Sequence, residues 1–258
     1  MIYDRSGSGV AETPFTGYQF DELLESASAL HISGITPAIS LTACETVIDL
    51  VRAAKENGLF VSCDLNFRAK LWNWDASKTA RELARIWMPQ IVRHVDLLIG
   101  NESDFEDMLN IVPENSSPDA GMLDVSGYQQ AARQACALFP GLKFIASSLR
   151  ESISADVNRW GGLLYDHAAD RISLAPIHEG RYSPYELQIT DRFGAGDAFA
   201  GGLLHALLSD DLCAPDDAIR FAAAAGALKH TVYGDYNRVS RDEVLRLMQG
   251  NQSGRVQR

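Results

Sequence analysis

The chain is short of positive charge. Its 34 Asp and Glu residues outnumber 23 Lys and Arg, leaving a formal net charge of −11 at pH 7. A surface of that sign repels phosphodiester backbones and anionic lipid, which excludes nucleic acid and membranes as broad partners. Cysteine is scarce too. Cys44, Cys63, Cys136 and Cys213 form no CxxC pair, and their neighbours do not resemble metal ligands. They read as buried apolar thiols of a protein kept in a reducing, cytoplasmic compartment. No apolar run is long enough to cross a bilayer, and no signal-peptide pattern opens the sequence. The six histidines are scattered, without HExxH spacing, so catalytic zinc is not expected. A GxSxG elbow, a GxxxxGK phosphate loop and a GxGxxG after a strand are all absent. Any nucleotide would be held by some other device.

What remains is an ordinary globular composition of 258 residues, 46% hydrophobic and 22% charged, enough for one large domain or two small ones. The pattern predicts a strand over Ile2–Arg5, a loop over Ser6–Gly17 and a short helix over Phe20–Ser28. Strands follow at Ala29–Ser33, Leu59–Asp64, Val95–Ile99 and Lys143–Ser147. Helices are predicted at Thr42–Asn57, where Thr42 and Glu45 have capping-box spacing, at Ser77–Val92 and at Gly127–Phe139. A short acidic helix starts at Asn101, and Pro113–Val125 is a polar loop. Alternating strands and helices at this spacing indicate parallel βαβ units in an α/β sheet. Short strands at Ser152–Ala155, Gly162–Tyr165 and Arg171–Leu174 suggest an antiparallel edge. The last third reads as helical over Asp197–Ser209, Pro215–Thr231 and Ser240–Met248, before a polar tail over 250–258.

One stretch organises the rest: Asp191-Arg192-Phe193-Gly194-Ala195-Gly196-Asp197-Ala198-Phe199-Ala200-Gly201-Gly202. Gly194 and Gly196 let the backbone turn sharply, and an apolar helix begins at once. A glycine turn opening a helix presents unpaired N–H groups to an anion. Asp197, in that first turn, is a poor phosphate ligand and a good proton acceptor. An anion hole beside a base can move a phosphoryl group onto a hydroxyl. Close helix–strand packing with Asp197 as a cap would use the same residues.

Ligands of α/β sheets sit beyond the carboxyl ends of the strands, so the residues there matter next. Asp64, Asn66 and Arg68 alternate with Leu65 and Phe67, giving one polar face; Arg68 suits a carboxylate or phosphate, or a structural Asp–Arg pair. Asn101 and Asp104 fit a helix cap, or the water shell of Mg²⁺. Ser148 and Arg150 could face phosphates or lie in a solvated loop. Tyr3 and Arg5 share a face and could grip a sugar hydroxyl and a carboxylate, or form an exposed sheet edge.

Taken together these pieces resemble the ribokinase-like (PfkB-type) carbohydrate kinases, most closely those acting on 2-keto-3-deoxygluconate. The stretch Asp191 to Phe199 is similar to that family's C-terminal signature. Tyr3-Asp4-Arg5, Ser33-Gly34-Ile35, Asp64 to Arg68 with Leu71-Trp72, Asn101 to Asp104, Ala225 to Lys229 and Gly234-Asp235 follow in the family's order. The resemblance implies a three-layer α-β-α ribokinase-like fold with a mostly parallel central sheet, over residues 1–249. It implies an ATP- and Mg²⁺-dependent transfer to the hydroxyl of a small sugar acid, giving the 6-phosphate. Asp197 would be the catalytic base, with Gly194, Ala195 and Gly196 supplying amides to the transferring phosphoryl. Arg68, Tyr3 and Arg5 would contact the acid sugar; Asn101 and Asp104 would lie at the Mg²⁺ and phosphate. Ser148, Arg150, Ala225 and Lys229 would lie near the nucleotide, with Arg150 in place of the family's glycine. A fructokinase or ribokinase type, or a noncatalytic binding relative, shares most of these features. Family members carry further strand–helix units ahead of the position of Tyr3, with most of a β lid, and the expectation is a fold without them, weakened in activity. A homo-oligomer is also expected.

Overall fold

The computed structural model describes residues 5–112, 125–154 and 156–250. It divides into two compact units, Met1–Ile145 and Ala146–Arg258.

The first unit opens with helix α1 (Gly9–Glu12), a 3₁₀ turn at Phe15–Gly17 and α2 (Phe20–Ser26). The expected loop at the front thus contains two turns of helix, the first capped by the Ser8 side chain. Strand β1 (Ala29–Ser33) runs into a short helix, α3 (Ile35–Ala38). Then come α4 (Leu41–Glu56), β2 (Phe60–Asp64), α5 (Ala80–Val92), β3 (Leu97–Ile99), α6 (Glu102–Leu109) and α7 (Val125–Leu138). β1, β2 and β3 are parallel, with Ala29 opposite Phe60 and Ser62 opposite Leu97. The centre of the sheet is apolar on both faces: Val61, Cys63, Leu97 and Leu98 are buried, as are Val47 and Val51 of α4 and Leu83 and Met88 of α5.

Caps set the helix starts. The cap of α4 is Ser40, whose side chain accepts from Ala43 N, and not Thr42. In α5 Thr79 and Glu82 form the reciprocal capping box, so the helix begins at Ala80, three residues later than Ser77. At the amino end of the strands, Asp96 is buried and neutralised. It accepts from Val61 N at 2.9 Å and from Lys55 Nζ at 2.6 Å, with Lys143 Nζ at 3.1 Å. These bonds fix where β2 and β3 enter the sheet. They hold the Asp96 carboxyl below its ordinary range against the opposing effect of burial.

The second unit is built on β4 (Phe144–Ser152) and β5 (Val157–Asp166), joined by a tight turn in which Ile153 N and Ser154 N reach Val157 O. β4 therefore extends well past Ser147. β6 (Arg171–Ala175) pairs antiparallel with residues 162–166 of β5. After the small hairpin of β7 (Ile177–His178) and β8 (Arg181–Tyr182), β9 (Tyr185–Gln188) pairs antiparallel with residues 157–160. Three helices follow: α8 (Ala195–Leu207), α9 (Pro215–Lys229) and α10 (Arg241–Met248). α8 and α9 meet along small residues. A Cβ added to Gly202 would stand 2.9 Å from the Ala225 Cβ. Trp160 of β5 lies over Gly226 and donates its indole N–H to Ala223 O at 3.1 Å.

Among the described residues no helix is long and apolar enough to cross a membrane. Cys44, Cys63 and Cys136 are buried as expected, whereas Cys213 is exposed in the turn between α8 and α9.

Candidate functional site

In the second unit the chain leaves β9 and turns at Asp191. Thr190 N and Asp191 N both donate to His230 O, at 2.8 and 3.2 Å. The Asp191 carboxylate then accepts from two backbone amides, Phe193 N at 3.0 Å and Gly234 N at 2.9 Å. These bonds, first that of Phe193, hold the Asp191 carboxyl below its usual range. The turn places Gly194 in the left-handed region, φ 75°, as the N-cap of α8. A side chain there would be strained, and its Cβ would stand 2.6 Å from Asp235 O.

No side chain caps α8, and its first helical bond is Ala198 N to Gly194 O at 2.8 Å. The N–H groups of Ala195, Gly196 and Asp197 therefore have no acceptor within the helix. Asp197 is exposed, so it does not serve as a buried cap. Gly194 and Asp197 line a cleft of about 640 Å³, together with Ala225, Asp235, Tyr236 and Arg241. Gly194 and Asp197 thus open onto one space, which runs on along α8 past Gly201, Gly202 and His205; Ala195, at the head of the helix, is buried.

Three cations act on His230, whose carbonyl anchors this turn. His230 is buried against Trp160, ring centroids 4.7 Å apart, and its Nδ1–H donates to Gly226 O at 2.8 Å. Burial lowers its pKa; Arg150, Lys229 and Arg192 lower it further, so all three cations share its neighbourhood. Arg150 is exposed and Ser148 half-buried, both within β4 and not in a loop after it. Ala225 lines the cleft. Lys229 does not. It is fully buried, with Nζ donating to Gly234 O at 2.7 Å and to Val232 O at 3.4 Å. In this geometry the Lys229 ammonium is engaged by backbone carbonyls.

In the first unit a separate polar rim forms at the carboxyl ends of β2 and β3. Gly34 N donates to Asp64 O and Leu65 N to Ile99 O, both at 2.8 Å. Asn66 follows with φ 41°, turning the chain outward, and Arg68 is exposed. Asn101 and Asp104 form a reciprocal capping box for α6. Asp104 Oδ2 accepts from Asn101 N at 3.1 Å and Oδ1 from Phe67 N at 3.0 Å. Burial nevertheless raises the Asp104 pKa, opposed by those two bonds and by Arg68. Each carboxylate oxygen accepts one backbone amide and keeps a further lone pair, so Asp104 serves as the cap of α6 and retains acceptor capacity for an ion or its waters. Among the described residues no three His, Cys, Asp or Glu side chains converge as a metal site.

The structure thus groups Gly194, Ala195, Gly196, Asp197 and Ala225 in one unit, and Arg68, Asn101 and Asp104 in the other. Arg5 lies in a turn and not a strand, where its carbonyl accepts from the Ser8 hydroxyl at 2.8 Å. Tyr3, and with it most of the strand expected over Ile2–Arg5, lies outside the described residues. Tyr236 and Arg241 in the cleft were not foreseen, because neither stands in a motif; Asp235 had a signal, following Gly234 in a stretch already noted.

The chain is 30% identical over 257 residues to a 2-dehydro-3-deoxygalactonokinase of Haloferax volcanii, covering 98% of this chain and 67% of that protein. It is 27% identical to fructokinase-1 of Oryza sativa subsp. japonica, covering 88% of this chain and 60% of the relative. Among solved structures, the 2-dehydro-3-deoxygluconokinase of Thermotoga maritima superposes with a TM-score of 0.80 at 34% identity, over 96% of this chain and 68% of that one. The chain thus spans about 60 to 68% of the length of these relatives. The shared fold class is three-layer α/β with a mostly parallel central sheet. The family model described as "pfkB family carbohydrate kinase" matches residues 2–121 and 178–241. The chain belongs to the PfkB family of carbohydrate kinases.

Proposed function

We propose that the protein transfers the γ-phosphoryl group of ATP to the primary hydroxyl of a small sugar acid, with 2-keto-3-deoxygluconate as substrate and its 6-phosphate as product. The observation that carries this reading is the uncapped start of α8, whose first turn holds both the free amides and the exposed Asp197, a residue that lines the cleft with Gly194. The names of the two keto-deoxy sugar kinases described above support the choice of acid.

In this reading Asp197 accepts the hydroxyl proton as the oxygen attacks phosphorus, and ADP leaves with the departing electron pair. The amides of Ala195, Gly196 and Asp197 stabilise negative charge on the phosphoryl oxygens. They are fixed before the substrate arrives, so no reorganisation is needed during the step. Arg68, on the first unit, presents an exposed guanidinium of the kind that suits a carboxylate, a group that neutral sugars lack. Mg²⁺, when bound with the nucleotide, supplies charge neutralisation on the phosphates.

The test is Asp197→Asn, assayed by coupled ADP release and by calorimetry with ATP. The variant should lose at least about 10²-fold in kcat while nucleotide affinity changes little. Near-normal turnover would remove Asp197 from the role of base. Wild-type protein that binds ATP and the acid without turnover would replace the kinase by a binding protein.

A further inference from the structure

Lys229 is the one Lys or Arg side chain that is buried among the described residues. Burying an ammonium is costly unless it is neutralised, and an apolar side chain of similar volume fills such a space more cheaply. The position therefore calls for something that charge alone supplies.

The surroundings show what that is. Lys229 ends α9, and its Nζ bonds the carbonyls of Gly234 at 2.7 Å and Val232 at 3.4 Å. Gly234 is gripped from its other side, since its N–H donates to the Asp191 carboxylate at 2.9 Å. Asp191 also holds Phe193 N, one residue before the glycine N-cap. Finally, a Cβ on Gly194 would stand 3.2 Å from the Lys229 Cε and 2.6 Å from Asp235 O. The ammonium, the segment 232–235, the Asp191 carboxylate and the glycine turn close into one ring of contacts beneath the amides of α8. Cutting the ring at Lys229 removes a donor from the carbonyl of the buried Val232 and from that of the half-buried Gly234.

We infer that Lys229 is a positioning residue, an internal cation that locks segment 232–235 onto the Gly194 turn and so fixes the amides of Ala195 to Asp197. It touches neither substrate nor nucleotide. Its kinetic consequence rests on the phosphoryl-transfer reading above, whereas its structural consequence does not.

The test compares Lys229→Met, which keeps the volume, and Lys229→Ala, which opens a space, with the wild type. Hydrogen exchange read by mass spectrometry should show protection falling roughly tenfold or more at residues 191–197 and 232–236, with β5 and β6 unchanged. With ATP and 2-keto-3-deoxygluconate, kcat should fall on the order of 10²-fold while KM for the acid stays within about twofold. Ammonium or methylammonium chloride should partly restore both in Lys229→Ala, by refilling the place between the two carbonyls; tetramethylammonium, too large to enter, should not. Unchanged exchange at the two segments overturns the inference, and so does deprotection spread evenly over the unit. Equal rescue by tetramethylammonium also overturns it, by reducing the effect to salt. Wild-type protein that phosphorylates no sugar acid removes the kinase reading, and the exchange and ammonium results then decide the role of Lys229 alone.

Discussion

The single most constrained residue of the site is Gly194. Its φ of 75° suits glycine, and the space where a Cβ would go is taken by Asp235 O and the Lys229 side chain. Gly194→Ala should therefore act twice, through about 1–2 kcal/mol of left-handed backbone strain and through displacement of the segment at Asp235. Its expected signature is a fall in kcat well beyond what the drop in melting temperature implies, measured by paired turnover and thermal unfolding. This position was legible in the sequence, because glycine before a short-residue helix start has a local meaning. Asp197 was legible for the same reason. Lys229 was not. Its burial is created by carbonyls of residues 232 and 234, whose direction depends on a turn that no residue pattern announces. Asp104 lay between: the spacing from Asn101 admitted both a cap and an ion site. The bond from Phe67 N to its other oxygen comes from a different segment, which the spacing does not show.

At the level of elements, α8 is held in place by what α9 lacks. Gly202 meets Ala225, and Gly226 meets Trp160, so α9 is tightly packed on both sides by near-absent side chains. A Cβ on Gly226 would lie 2.6 to 2.9 Å from three atoms of the Trp160 indole. Gly226→Ala should destabilise the protein by about 1–3 kcal/mol, the usual cost of overpacking a rigid core, as read from the urea midpoint. An unchanged midpoint would mean that the indole yields freely despite its bond to Ala223 O. Helix and strand existence was readable from apolar periodicity, while their ends were set by side chains that compete for the same amides. Ser40 outcompetes Thr42 for the cap of α4 because its hydroxyl reaches Ala43 N and also donates to Ala11 O at 2.6 Å. A contact with a residue 29 positions away is invisible to a local pattern.

For the molecule as a whole, the buried imidazole of His230 sets the response to mild acid. Its pKa is lowered in the fold, so the neutral form is the native one. Below about pH 6.5 the unfolded chain gains a proton that the folded chain refuses, and stability falls as pH drops through that range. His94, lowered by burial and by Arg52 and Arg93, adds in the same direction. Asp104 runs the opposite way: its raised carboxyl favours the fold at low pH and loses that contribution as pH rises through its folded value. Asp191, lowered from 3.8, matters only in stronger acid. Urea midpoints should therefore decline from roughly pH 7.5 to pH 5.5, and His230→Asn should flatten the slope. A slope unchanged by that substitution would assign the acid response elsewhere.

The thiols carry a practical consequence. Burial raises the pKa of Cys44 to about 12 and that of Cys136 to about 11, and raises Cys63 as well, which leaves these three unreactive in the native state. Cys213 alone stands at the surface, on the turn that links the helix of the glycine site to its packing partner. The protein thus comes with a built-in attachment point. A single fluorophore placed there would ride on the connection between α8 and α9, and would report on their movement without any engineering of the remaining sequence.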